Sequence, residues 1–181
     1  MNPIRWDLGE GLVVRTLVPD EDVELFELID ANRDRLRPWM IWEPTTRTPA
    51  DARDFIQRSL ASEADREANG IWVDGRLAGS IGLSVDLYAN SGEIGYWLGT
   101  GYEGRGLVTR ACARFFDFGF DELGLHRMEL CAAVQNDRSR AVALRLGMTE
   151  EGLARHGSRV HDGYLDLVLY GILEDEWRAR R

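Results

Sequence analysis

Two glycines, Gly104 and Gly106, lie between a predicted strand at residues 93–98 and a predicted apolar helix at residues 108–120. Glycine lets the backbone approach a ligand closely and expose successive N–H groups. The following helix adds the positive end of its dipole, so a pyrophosphate would be stabilised there without any lysine. A plain strand-to-helix turn that uses glycine for conformational freedom is the alternative interpretation. The motif alone is compatible with both.

Charge narrows the classes of function. All 22 basic residues are arginine, which excludes a P-loop lysine, a pyridoxal Schiff base and a lysine general base. The net charge of -9 argues against nucleic acid as the main partner. Residues 101–148 carry seven arginines against six acidic residues, so this segment is slightly basic in an acidic chain. An anionic ligand is therefore expected near the glycine loop.

The predicted elements follow the order β-α-α-β-β-β-α-β-α-β-β. A turn at Asp74-Gly75 between apolar runs at residues 71–73 and 77–85 is a strong hairpin signal. A doubly wound fold would alternate strand and helix throughout, and this chain does not. The pattern therefore predicts a mixed α/β (α+β) sheet dominated by hairpins. Because no linker, repeat or low-complexity tract interrupts it, we expect a single domain over residues 1–181.

Two early segments are predicted to be helical. Residues 48–51 (TPAD) are typical of a helix start, with Thr48 as the cap and Pro49 at the first helical position, and this helix is expected to run to about Glu67. Residues 33–42 form a second, shorter element that is rich in arginine and tryptophan.

The two cysteines, Cys112 and Cys131, each lie in an apolar stretch, so a structural disulfide is not expected. The first residues show no secretory signal pattern, and no apolar run approaches the ~20 residues that a membrane-spanning helix needs. These features predict a cytoplasmic protein without membrane contact. Three scattered histidines and two distant cysteines form no metal-binding pattern, so no metal is expected.

Four segments together resemble one family. They are GEIGYWL at residues 92–98, YEGRGLVT at 102–109, NDRSRAVA at 136–143 with LGM at 146–148, and DGYLD at 162–166. The chain resembles the GCN5-related N-acetyltransferase (GNAT) superfamily, specifically its RimJ/RimL-like ribosomal-protein N-acetyltransferase branch, over residues 10–173. The resemblance implies a central, mostly antiparallel, splayed sheet of six to seven strands flanked by helices. It also implies acetyl-coenzyme A as cosubstrate and makes a homodimer an expectation.

The resemblance also assigns residues to the cofactor. Those expected to hold acetyl-coenzyme A are Trp97, Leu98, Glu103, Gly104, Arg105, Gly106, Leu107, Val108, Thr109, Asn136 and Ser139. A backbone N–H near Trp97 or Leu98 would polarise the thioester carbonyl. The chain departs from the family pattern at three positions: Gly101 replaces Gln or Arg before the loop, Ala143 replaces a catalytic tyrosine, and Cys131 replaces a glutamate of some relatives.

Two residues are candidates for catalysis. Ser139 is expected to donate a hydrogen bond or proton to the leaving thiolate; otherwise it is a helix-start residue beside the cap Asn136. Glu93 is the candidate base, acting through water and contacting the acceptor; otherwise it is a solvated turn carboxylate. An α-amine needs only modest help to lose its proton, since its pKa is ~7.7–8.0. His156 and His161 are alternative bases.

Trp39 and Trp42 are expected to line the acceptor side, with core packing on one helical face as the alternative. The resemblance implies the N-terminal α-amine of a ribosomal or other cytosolic protein as acceptor. A small amine (an amino acid, a polyamine or an antibiotic) is the alternative substrate, and a non-catalytic coenzyme A-binding regulator is the alternative of another class. A nicotinamide dehydrogenase is disfavoured because Thr109 stands where its fingerprint requires Gly or Ala.

Overall fold

A computed structural model describes residues 3–62, 66–161 and 163–181. The strands are β1 (Arg5–Asp7), β2 (Leu12–Thr16), β3 (Arg66–Val73), β4 (Arg76–Asp86), β5 (Ser91–Leu98), β6 (Arg127–Ala133), β7 (Thr149–Val160) and β8 (Gly163–Leu173). The α-helices are α1 (Asp22–Asp30), α2 (Arg33–Leu36), α3 (Pro49–Ala61), α4 (Leu107–Asp117), α5 (Asp137–Leu146) and α6 (Glu174–Arg178). A π-helical turn, Phe118–Glu122, extends α4.

The strands form one sheet in the order β1-β2-β3-β4-β5-β6-β8-β7. Neighbouring strands are antiparallel except for β5 and β6, which run parallel. The predicted mixed, mostly antiparallel sheet with flanking helices is confirmed. The strand number is eight rather than six to seven, because β1 has only three residues, too few to show the alternation by which strands are recognised in a sequence.

The sheet opens between β5 and β6. Their ladder has three residue pairs, of which Glu93 with Glu129 is the last. Beyond that pair β5 continues to Leu98 and β6 to Ala133 without pairing to each other. The two strands therefore separate, and a cleft lies between their carboxyl-terminal ends, which confirms the predicted splay.

Apolar layers cover both faces of the sheet and determine which side chains reach the cleft. Ile94, Tyr96 and Leu98 of β5 pack in the cluster that contains α4 and α5. Trp97 points to the opposite face, where it packs with residues of α1 and α3. This alternation is the ordinary period of a strand. Tyr96 therefore lies on the α4–α5 side and Glu93 on the α1–α3 side.

The two early helices differ from their predicted extents. Thr48 caps α3 as predicted, since its hydroxyl accepts the Asp51 N–H at 3.4 Å. The helix ends at Ala61 rather than near Glu67, and β3 has begun by Arg66. α2 covers only Arg33–Leu36 of the predicted element 33–42, because Pro38 has no N–H to continue the helix. Among the described residues, no helix is long and apolar enough to cross a membrane.

Candidate active site

The glycine loop leads directly into α4. Gly101, Gly104 and Gly106 have φ values of 87°, 74° and 71°, a left-handed conformation that glycine adopts without strain. A Cβ built on Gly104 or Gly106 would meet no protein atom within 4 Å, so open space lies in front of the loop. The glycines are thus required by the backbone conformation, and the space is free for a ligand.

The start of α4 offers unpaired donors to that space. The Arg110 N–H donates to Gly106 O at 3.1 Å, which is the first hydrogen bond of the helix. The amides of residues 107–109 therefore precede the helical ladder and have no acceptor within it. Free amides at the start of a helix, together with the helix dipole, are suited to binding an anion. Leu107 and Val108 bury their side chains, so their contribution to a ligand comes from the backbone.

Asn32, a residue that the sequence analysis did not select, anchors the loop at its entry. Asn32 lies buried between α1 and α2, where its Oδ1 accepts both the Thr100 N–H and the Thr100 hydroxyl, each at 2.8 Å. Its Nδ2 donates to Leu28 O at 2.8 Å. The same side chain thus fixes both the end of α1 and the first residues of the loop. No local pattern marks Asn32, because its partner Thr100 is 68 residues away.

Charged side chains surround the loop. The Glu103 carboxylate accepts the Gly101 N–H at 3.0 Å and forms ion pairs with Arg35 of α2 and, at 3.5 Å, with Arg138 of α5. Glu103 therefore ties the loop to two helices. Arg105 is exposed on the loop. Arg110 points away from it and binds the β1–β2 turn, with the Glu10 carboxylate at 2.7 Å.

The backbone N–H of Leu98 on β5 faces the cleft. The Gly99 N–H donates to Ala78 O on β4 at 2.8 Å. Because the N–H groups of a strand point alternately to its two edges, the Leu98 N–H points to the other edge, where β6 has separated. Of the two residues predicted to supply this donor, the geometry therefore favours Leu98 over Trp97.

Ser139 and Asn136 lie at the start of α5. Asn136 is the N-cap, and its Oδ1 accepts the Ser139 N–H at 3.2 Å, so the predicted capping alternative is realised for Asn136. The Ser139 Oγ lies 2.9 Å from the hydroxyl of Tyr96 on β5. Burial raises the pKa of Tyr96 well above its usual range, so the phenol stays protonated. Sequence analysis missed Tyr96, although it lies inside the GEIGYWL segment.

Glu93 projects from the opposite face of β5 and is exposed. It borders an open cavity of about 530 Å³ that is also lined by Asp86, Arg127 and Glu129. Burial, together with the nearby Glu93 carboxylate, raises the Cys131 pKa to about 12. Cys131 is therefore a thiol at neutral pH, which agrees with a packing role. Ser139 and Glu93 thus flank the cleft from opposite faces of the sheet.

Trp39 and Trp42 lie beyond the end of α2, so the interpretation of one shared helical face is wrong. Trp42 is half-buried and packs against Trp97, with ring centroids 6.0 Å apart. Trp39 is also half-buried. Trp42 therefore belongs to the wall on the α1–α3 face, the same face from which Glu93 projects.

The β7–β8 turn reaches this wall. The His161 Nε2 lies 3.3 Å from the Glu43 carboxylate, which Arg33 also binds at 2.8 Å. His161 therefore connects the last hairpin to the segment that follows Trp42. His156 instead stacks on Tyr164, with ring centroids 5.3 Å apart. In the described part of the chain, no three Asp, Glu, His or Cys side chains are grouped as metal ligands.

The acetyltransferase (GNAT) domain family matches residues 12–149, which is more than half of the chain. The chain belongs to this family. "Putative ribosomal N-acetyltransferase YdaF" of Bacillus subtilis (strain 168) is 37% identical over 96% of this chain and 97% of that protein. "Ribosomal-protein-serine acetyltransferase" of Escherichia coli (strain K12) is 25% identical over 93% and 96%. A crystal structure of a "Probable acetyltransferase" superposes with a TM-score of 0.88 at 37% identity, covering 96% of this chain and 99% of that one.

Family membership confirms the enzyme class predicted from the sequence, an N-acetyltransferase that uses acetyl-coenzyme A. It also confirms the resemblance to the ribosomal-protein branch, since both relatives carry that description. The free amides ahead of α4 and the open space before Gly104 and Gly106 fit the diphosphate of this donor.

We expect Asn32→Ala to raise the KM for acetyl-coenzyme A about tenfold and leave kcat unchanged at saturating donor. The substitution leaves the Thr100 N–H without its partner, and a lost hydrogen bond of this kind costs about 1–2 kcal/mol. Steady-state kinetics with varied acetyl-coenzyme A measures the effect. Thr100→Val is the comparison variant, because it removes the hydroxyl bonds to Asn32 and Arg35 but keeps the backbone bond to Asn32, and its KM should rise less. An unchanged KM in Asn32→Ala would show that the loop holds its conformation without Asn32.

Proposed function

We propose that this enzyme transfers the acetyl group of acetyl-coenzyme A to the N-terminal α-amino group of a ribosomal or other cytosolic protein. The observation that carries the proposal is the end of the β5–β6 ladder at Glu93 and Glu129, together with the free amides at the start of α4, which the glycine loop joins to β5. This arrangement supports a donor that lies along the cleft, with its diphosphate at α4 and its thioester between the separated strands.

On the donor side, the amides of residues 104–109 would hold the diphosphate. The Leu98 N–H would donate a hydrogen bond to the thioester carbonyl oxygen as negative charge develops on that oxygen. Ser139, at the start of α5, would donate a hydrogen bond to the departing sulfur. These roles are supported by the positions of the donors: the amides at the start of α4 face open space, and the Leu98 N–H and the Ser139 hydroxyl lie at the cleft.

On the acceptor side, Glu93 would remove the amine proton through a water molecule, and Trp39 and Trp42 would form the wall. An α-amine with a pKa of ~7.7–8.0 is partly neutral at cellular pH, so an exposed carboxylate is a sufficient base. The cavity beside Glu93 is open rather than enclosed, which favours a peptide over a small amine. Its lining holds three carboxylates (Asp86, Glu93 and Glu129) and one arginine (Arg127), so its net charge is negative and suits a protonated N-terminus.

The names of the two relatives support a ribosomal acceptor. The same proposal includes a cytoplasmic location, a homodimeric assembly and a single domain over residues 1–181. The last rests on a sheet that is continuous from β1 to β8.

A thiol-release assay with acetyl-coenzyme A tests the acceptor. Two peptides of one sequence serve as the matched pair, the first with a free α-amine and the second N-acetylated but carrying a lysine side chain. We expect thiol release with the first peptide only, because an ε-amine with a pKa near ~10.4 is almost fully protonated. Mass spectrometry of the product should locate the acetyl group on the α-nitrogen.

The same assay includes spermidine, free amino acids and an aminoglycoside. We expect kcat/KM for these amines to be about 100-fold below that of the best peptide. Faster turnover of a small amine than of the best peptide would show that this amine, and not a protein N-terminus, is the acceptor. Tight coenzyme A binding without turnover of any amine would instead indicate a coenzyme A-binding regulator.

A further inference from the structure

A phenol bridges the cleft on the donor side. Tyr96 lies three residues beyond the last β5–β6 pair, where the two main chains no longer bond to each other. Its hydroxyl lies 2.9 Å from the Ser139 Oγ and 3.4 Å from the Ser139 carbonyl oxygen. Ser139 belongs to α5, which follows β6 in the chain. Tyr96 therefore connects the two sides of the opening at the residue proposed to face the sulfur.

The hydrogen bonds around Ser139 indicate which group donates. The Ser139 N–H is used by Asn136 Oδ1 at 3.2 Å. The phenol is a stronger acid than an aliphatic hydroxyl, so in a phenol–serine pair the phenol hydrogen lies between the two oxygens. The Ser139 carbonyl oxygen can only accept, and the Ser139 Oγ accepts when the phenol is the donor. The hydrogen of the Ser139 hydroxyl is then free to turn towards the cleft.

We propose that Tyr96 is a positioning residue for acetyl transfer, which donates to the Ser139 Oγ and so directs the Ser139 hydrogen to the departing sulfur. This inference rests on the proposed role of Ser139. During transfer the amine nitrogen bonds to the carbonyl carbon, the carbon–sulfur bond breaks with its electron pair on sulfur, and the proton lost by nitrogen is finally carried by sulfur. Tyr96 gains and loses no proton in this balance, because a buried tyrosinate is costly.

The test uses Tyr96→Phe, Ser139→Ala and the double variant, with acetyl-coenzyme A and the best acceptor. We expect kcat of Tyr96→Phe to fall about tenfold while KM for acetyl-coenzyme A stays within twofold. The variant loses only the orientation of the Ser139 hydroxyl, which donates to the sulfur in the transition state. We expect the double variant to be no slower than Ser139→Ala, because Tyr96 acts through Ser139.

Tyr170→Phe is the matched control. Tyr170 is also buried, and its hydroxyl accepts from Arg140 of α5 and donates to Glu150, each at 3.2 Å. This variant should lose thermal stability and keep the wild-type kcat. A merely structural role for Tyr96 would give the same result in Tyr96→Phe.

Wild-type kcat in Tyr96→Phe, or rate losses that multiply in the double variant, would overturn the inference and leave the proposed function intact. A wild-type rate in Ser139→Ala would overturn the inference together with the role of Ser139. Failure of the proposed function is visible separately, because the unmodified enzyme would then turn over none of the protein N-termini.

Discussion

A Gly104→Val variant is expected to remain folded and lose acetyl-coenzyme A binding, with a fall in affinity on the order of 100-fold or more. Gly104 has a φ of 74°, which a β-branched residue adopts only with strain of about 1–3 kcal/mol. The added side chain would also project into the open space in front of the loop amides, where no protein atom lies within 4 Å of a Cβ. Titration calorimetry with coenzyme A measures the loss.

Gly75→Val is the matched control for this variant. Gly75 lies in the β3–β4 turn with a φ of 78°, and a Cβ there would also meet no atom within 4 Å. The two variants should therefore lose similar thermal stability, while only Gly104→Val loses coenzyme A affinity. Wild-type affinity in Gly104→Val would refute the role of this loop as the diphosphate site.

Ser139→Ala is expected to lower kcat about 100-fold and leave the affinity for coenzyme A nearly unchanged. A hydroxyl that stabilises charge only as the sulfur departs contributes to the transition state and little to ground-state binding. Steady-state kinetics and calorimetry separate the two effects.

Ser59→Ala is the control for the loss of a serine hydroxyl. The Ser59 Oγ accepts the Ala68 N–H at 2.8 Å inside the protein, far from the proposed chemistry in sequence and on a different helix. This variant should lower the melting temperature and keep kcat. An unchanged kcat in Ser139→Ala would remove Ser139 from the mechanism.

The sequence was informative where structure depends on neighbouring residues. The order of strands and helices, the cap at Thr48 and the glycine loop before α4 follow from periodicity and turn chemistry within a few residues. The mostly antiparallel sheet followed from the hairpins. The face of Glu93 followed from alternation along β5, which also places Trp97 on that side.

That reasoning could not predict contacts between segments that are far apart in the sequence. Tyr96 meets Ser139 across 43 residues and Asn32 meets Thr100 across 68, so neither pair produces a local pattern. The spacing of Trp39 and Trp42 suggested one helix, but α2 ends at Leu36 and only isolated turns follow Pro38. Side-chain positions of this kind depend on how helices pack on the sheet.

The three-pair junction between β5 and β6 divides the sheet into two plates, of five and three strands. The Leu98 N–H lies on β5 in the first plate. Ser139 lies on α5, which follows β6 of the second plate. The two groups proposed for the reaction therefore lie on opposite sides of a ladder of only three residue pairs. One buried core, which includes α4, packs across both plates, so their spacing depends on this core more than on the ladder.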